Sequence, residues 1–176
     1  MILSAVFALA TSIYVGFLLA VVKCRPFWNT PLLPVLFVTS SLSTGISALT
    51  LAGSAAGGLH VPAAVSGILH SGELWLLAIE VLMVAFYVVI MENSLPQARV
   101  GARRLVAGDV AALFWIGVVM LGLLLPLALM AARVSLPPAF LSALVLIGGF
   151  SLRYCVLSAG SRALLPGETR QAAFVR

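Results

Sequence analysis

Charged side chains are scarce in this sequence. Its 176 residues hold ten Lys or Arg and five Asp or Glu, 9% in all. A soluble domain averages about 25%. So few charges cannot cover the surface of a globule in water. Lipid is the solvent that fits such a surface, and a mean hydropathy of +1.20 agrees. The formal charge of +5 therefore reports topology and not nucleic-acid binding. Cysteine and histidine are rare too, with two of each. Neither Cys24 nor Cys155 belongs to a C-x-x-C or has a histidine at metal-ligand spacing. A protein-built metal cluster is not expected from so small a set. Bis-histidine haem would need His60 and His70, which fall in or beside one loop. There is no Walker loop, no G-x-G-x-x-G after a strand and no nucleophile elbow. The first apolar run lacks a basic leader and is too long for a signal peptide, so it reads as a retained spanning helix.

Long apolar runs are what the sequence has instead. At about 20 apolar residues per crossing, five spans are predicted: 2–22, 32–51, 74–91, 110–130 and 139–158, with a tail over 159–176. The expected fold class is an all-α integral membrane bundle forming a single helical domain. One hairpin organises it. An apolar arm passes through Tyr14 and Gly16, a basic and aromatic turn runs from Lys23 to Pro34, and a second arm carries the hydroxyls from Ser40 to Thr44. Thr30 before Pro31 fits an N-cap followed by a first-turn proline. Pro126 lies inside the fourth span and predicts a kink. Ser12, Gly16 and Ala20 form a row of small residues, and Ala143 with Gly148 and Gly149 forms another, both suited to close helix packing. Phe27, Trp28, Trp75 and Phe140 fall near span ends, where aromatics settle at the membrane interface.

Basic residues set the orientation. Lys23 and Arg25 lie in the first turn, Arg99, Arg103 and Arg104 in the third, and Arg162, Arg170 and Arg176 in the tail. The intervening loops hold none and Arg133 alone. The positive-inside rule then puts the N-terminus outside and the C-terminus in the cytoplasm. Because membrane chains often begin in the cytoplasm, an odd number of further helices upstream is expected.

A charge in hydrocarbon costs about 2.5–3.5 kcal/mol on insertion scales, so each one asks for a role. Glu80 lies about 9 Å in from the outer end of its span. Glu73 is seven residues earlier and His70 three before that. These steps share one helical face and draw a line of protonatable groups inward. Thr44 lies about 10 Å from the outer end of the second span, which runs the other way. Glu80 is therefore expected to face Ser40, Ser43, Thr44 and Ser47. The plainer alternative is a neutral Glu80 that ties helices together. Arg153 lies about a turn and a half from the cytoplasmic end of the fifth span, placed to snorkel and too far along the axis to pair with Glu80. Tyr14 lies near mid-membrane and needs a partner for its hydroxyl, either a ligand carbonyl or a serine across the helix interface.

The hairpin also carries an identity. Tyr14-Val15-Gly16 with Leu18-Leu19, then Arg25-Pro26-Phe27-Trp28-Asn29-Thr30-Pro31-Leu32-Leu33-Pro34, Leu36-Phe37 and Ser40 to Gly45, resembles the NrfD/PsrC family. These are membrane subunits of polysulfide-reductase-like and related quinone-linked redox complexes. Gly148-Gly149-Phe150, Leu152-Arg153-Tyr154 and Ala159-Gly160 look like the family's last helix, and Phe114-Trp115 with Gly117 and Gly122 fits the penultimate one.

The resemblance implies a quinone-reactive anchor in a bacterial or archaeal cytoplasmic membrane, with no haem or metal in this chain. Menaquinone or ubiquinone would be its exchangeable substrate. Implied partners are a ferredoxin-like iron–sulfur subunit, docked outside over residues 53–72, and a catalytic subunit, often a molybdopterin enzyme. The quinone and proton candidates are Tyr14, Ser40, Ser43, Thr44, His70, Glu73 and Glu80; Arg25, Trp28, Asn29 and Arg153 are candidates for structure or interface. Members of the family carry more spans, and this chain matches the last five. It is therefore expected to be a fragment, a split subunit completed by a chain that supplies N-terminal helices, or the product of a misassigned start site. Two other readings stand beside this one. The first is a structural or assembly anchor without quinone chemistry. The second is a small proton-coupled transporter, which should more often show internal repeats than this sequence does.

Overall fold

The computed structural model describes residues 2–21, 27–55, 63–94, 96–134 and 136–161. Among them the only regular structure is helical: α1 (Ile2–Ala20), α2 (Leu32–Ala55), α3 (Ala63–Glu92), α4 (Pro96–Ala107), a π-helical segment (Leu113–Leu124), α5 (Leu125–Ala131) and α6 (Pro138–Ser161). Four stretches are long and apolar enough to cross a membrane: Leu32–Ser54, Val65–Glu92, Leu113–Ala131 and Pro138–Ser161. Many large apolar side chains point outward, Phe86, Ile116 and Phe150 among them, as lipid-facing surfaces require.

α2 is the hub. It packs on α1, α3 and α6, while α6 also packs along the π segment. α3 reaches α4, the π segment and α5. Among the described residues α1 packs only on α2. Gly16 allows that approach, because a Cβ there would run into the Pro34 backbone. Thr30 caps α2 as expected, its Oγ1 accepting from the Leu32 amide at 3.4 Å.

Three features depart from the sequence reading. α3 begins at Ala63, not near residue 74. An apolarity threshold misses its first turns, since Ser66, His70 and Ser71 are polar but fit a helix. The third turn is not a loop throughout but contains α4, with Ala98, Ala102 and Leu105 buried and Arg99 and Arg103 exposed. The kink expected at Pro126 gives way to a change of winding: the π helix ends at Leu124, where the Leu125 amide donates to the Met120 carbonyl, and Pro126 sits in the first turn of α5. A wider turn ahead of proline eases the clash between its ring and the preceding turn.

The aromatic turn is a plug in the bundle, not a belt at its rim. Phe27 and Trp28 are buried, whereas Trp75 and Phe140 are exposed as interfacial aromatics should be. Phe27 packs into the space left by Gly101 of α4 and meets the Tyr87 ring edge-on at 5.4 Å. Trp28 lies on Gly160 and donates its indole N–H to the Val156 carbonyl at 3.1 Å. Tyr87, wholly buried, donates its hydroxyl to the Phe27 carbonyl at 2.7 Å. Tyr87→Phe leaves that carbonyl without the donor and should cost about 1–3 kcal/mol. The loss would be read as a lower unfolding midpoint in detergent; an unchanged midpoint would show that the turn does not depend on this bond.

Candidate functional site

Two polar positions on α3 meet hydroxyls on α2. Glu73 is 7% exposed and accepts a hydrogen bond from the Ser47 hydroxyl. Glu80 is 3% exposed and lies against Ser40. These pairings make the two helices antiparallel here, since the residue number falls on α2 as it rises on α3. Seven residues separate the members on each helix, about two turns or roughly 10 Å. On α2, Ser40, Ser43 and Ser47 are all fully buried and share one face. Leu77, opposite Ser43 in this register, is buried too.

Arg153 comes in from α6. Depth along the sequence places it too far along its helix to pair with Glu80, and its hydrogen bonds go elsewhere. Its guanidinium donates to the Ser41 hydroxyl and the Gly149 carbonyl, both at 3.1 Å, and it interacts electrostatically with Glu80. The reason is steric. Gly149 leaves space that Thr44, Arg153 and Ser40 occupy, so the long side chain lies inward across its own helix toward α2. Thr44 itself spends its hydroxyl on the Ser40 carbonyl at 2.7 Å.

Tyr14 stays outside this cluster. It is 64% exposed. Gly16 faces α2, and two residues at about 100° each put Tyr14 on the opposite side of α1. Asn29 is exposed, Trp28 serves packing as described, and Arg25 and His60 lie outside the described residues.

Above Glu73 a cavity of about 690 Å³ opens between α2, α3, α5 and α6. Thr50, His70, Glu73 and Ser142 give it polar points, and Leu49, Leu69, Met130 and Leu141 give it apolar wall. Its size and mixed lining suit a small planar ligand with a few polar atoms. Sequence reasoning found His70 and Glu73 but not the far wall. Ser142 is buried near the start of α6, in a stretch with no motif, and only tertiary packing brings it here. Ser41, the partner of Arg153, was also missed, although it lies within the hydroxyl run. Among the described residues no group of three His, Cys, Asp or Glu is placed to hold a metal ion.

Fold and site define a helical membrane protein with a mostly apolar cleft and a line of buried carboxyls and hydroxyls. The chain belongs to the family described as "Polysulphide reductase, NrfD", whose profile it matches over residues 1–164. It is 34% identical over 169 residues to the C chain of polysulfide reductase from Wolinella succinogenes, covering 90% of this chain and 52% of that one. It is also 34% identical over 163 residues to protein NrfD of Escherichia coli, covering 90% and 51%. A protein NrfD homolog of Haemophilus influenzae is 32% identical over 153 residues, covering 84% and 48%. The chain thus spans about half the length of these relatives. No solved structure matches it.

Proposed function

We propose that this chain is the quinone-interacting anchor of a multi-subunit respiratory oxidoreductase, and that the cavity above Glu73 receives the quinol or quinone head. The observation that carries the reading is a buried carboxyl flooring an otherwise mostly apolar cleft. Such a cleft suits a ring that is apolar apart from two oxygens. His70 and Ser142 are the side chains available to orient those oxygens, and Glu73 is the group available to take or give a proton. Electrons would pass to or from an iron–sulfur partner subunit, with the substrate supplying the redox chemistry.

Topology supports the arrangement. With α1 counted as a fifth crossing, α4, the connection into α2 and the C-terminal end of α6 share one side, and the cavity opens toward the other. By the positive-inside rule the cavity then faces outward from the cytoplasmic membrane. An iron–sulfur subunit, itself serving a catalytic subunit, would dock over the same side.

Filling the cavity tests this directly. A Cβ added at Gly67 has nothing within 4 Å, so Gly67→Phe puts a ring into the cleft without disturbing the helix. Binding of a fluorescent quinol analogue to the purified protein should weaken by at least about tenfold, or 1.4 kcal/mol. Unchanged affinity in a folded Gly67→Phe protein would remove the cavity as the quinol site.

A further inference from the structure

The Ser43 hydroxyl oxygen is fully buried and has no hydrogen-bond partner among the described residues, and the Ser40 hydroxyl, equally buried, has only the Glu80 carboxyl beside it. A buried hydroxyl left unpaired costs about 1–3 kcal/mol. Here the two hydroxyls lie three residues apart, on one face of α2, in the interval between Glu73 and Glu80. Opposite Ser43 lies Leu77, which offers no polar atom to either. The neighbours on both sides are ionisable: Ser47 already bonds Glu73, and Ser40 lies against Glu80.

We propose that this interval binds water, and that the bound water joins Glu73 and Glu80 into a proton relay along α2. Buried water settles where two to four polar partners converge. Ser43, Ser40 and the inner carboxyl provide them, and Ser47 closes the chain at the outer end. In the orientation present, Ser47 donates to Glu73. The last step, from Ser47 to Glu73, therefore runs outward without Ser47 turning, whereas Ser40 must turn from Glu80 to pass a proton on. Glu80 as the acid gives its proton to the chain. Each hydroxyl and water accepts one proton and passes on another. Ser47 delivers the last to the Glu73 carboxylate. Only O–H bonds break and form, and no electron moves. The products are Glu73 as the acid and Glu80 as the carboxylate. Each carboxyl has a base or cation beside it: His70 on the Glu73 side, and Arg153 with its bond to Ser41 on the Glu80 side. The relay carries protons between the cavity and the membrane interior, and it stands whether or not the cavity takes a quinol.

The test uses two side chains of equal bulk. Ser43→Thr keeps the hydroxyl; Ser43→Val replaces it with a methyl. Infrared difference spectra of the purified protein in D2O follow the shift of the Glu80 carboxylic C=O band, assigned by its loss in Glu80→Gln. Exchange in Ser43→Thr should stay near the wild-type rate, and in Ser43→Val it should slow by at least about tenfold. Equal slowing in both variants would assign the effect to bulk and overturn the relay. So would a wild-type rate in Ser43→Val. If Ser43→Val does not fold, Ser43→Ala answers in its place: a smaller side chain leaves room for one more water, so exchange should hold near wild type, and a block there would overturn the proposal. Quinol-analogue binding is measured on the same samples, so a failure of the cavity reading is seen separately.

Discussion

Gly148→Val is expected to leave little folded protein in the membrane. A Cβ at Gly148 falls onto the Cα and carbonyl carbon of Gly122, and a Cβ at Gly122 falls back onto Gly148. Each obstacle is backbone, so no rotamer change relieves it. Ordinary overpacking costs about 1–3 kcal/mol because side chains can shift. Here α6 must move off the π segment, its most extensive interface, and a native state holds only about 5–15 kcal/mol in total. The check is a graded series read by fluorescence-detected size exclusion and thermal aggregation. Gly148→Ala should lower the midpoint and Gly148→Val should abolish the monodisperse peak. Gly122→Ala combined with Gly148→Ala should cost less than the sum of the two, because one separation of the helices relieves both clashes. Gly45→Ala is the control, since nothing lies within 4 Å of a Cβ there; it should be neutral or slightly stabilising. A monodisperse Gly148→Val protein would show that the helices do not meet at these glycines.

This contact shows what the sequence made readable. Gly148 and Gly149 announced a close approach, yet nothing in the spacing named Gly122 as the partner. Small residues report that backbones meet, and only the crossing of two helices says where. The long spans were legible for a simpler reason: lipid demands apolar length, and α2 and α6 start within a residue of the places where apolarity alone puts them. α4 was not legible by that rule. Its residues are polar on one side, and its buried face has, apart from Leu105, small side chains whose value depends on Phe27 filling the space beside Gly101. For the same reason Phe27 and Trp28 looked like interface aromatics in the sequence and are core in the structure.

The site divides along the same line. Matching depths along antiparallel spans brought Glu80 to the hydroxyl face of α2, because rise per residue is a property of the helix alone. Rotation of a helix about its axis is not such a property. Tyr14 has the right depth and the wrong face. Arg153 was placed by depth too, but a long side chain beside Gly149 can lie across the axis, and its head reaches Ser41. The cavity wall at Met130 and Ser142 needed the return of α5 over α3 and of α6 over α2, for which no local pattern exists.

Glu73→Gln should then have the largest effect on turnover of any conservative change in the chain. The amide keeps the size of the carboxyl and can still accept from Ser47, so packing at the cavity floor is retained. What it loses is a proton that can be taken up and released. If Glu73 exchanges that proton with a quinol head in the cleft, quinol oxidation by the assembled complex should fall by about 10²–10⁴-fold. Affinity for the quinol analogue should change little, because the cleft walls are untouched. Glu73→Asp, with a titratable group set back by one carbon, should fall between the two. Ser47→Ala, which removes the bond to Glu73 but leaves the carboxyl, should cost far less than Glu73→Gln. The pattern across these variants separates chemistry from architecture. A purely structural Glu73 would make Ser47→Ala the more damaging change, since that variant strands a buried carboxyl, and would leave Glu73→Gln close to wild type. Wild-type turnover in Glu73→Gln, with binding intact, would remove proton exchange from this position and leave the cleft as a packing or docking feature.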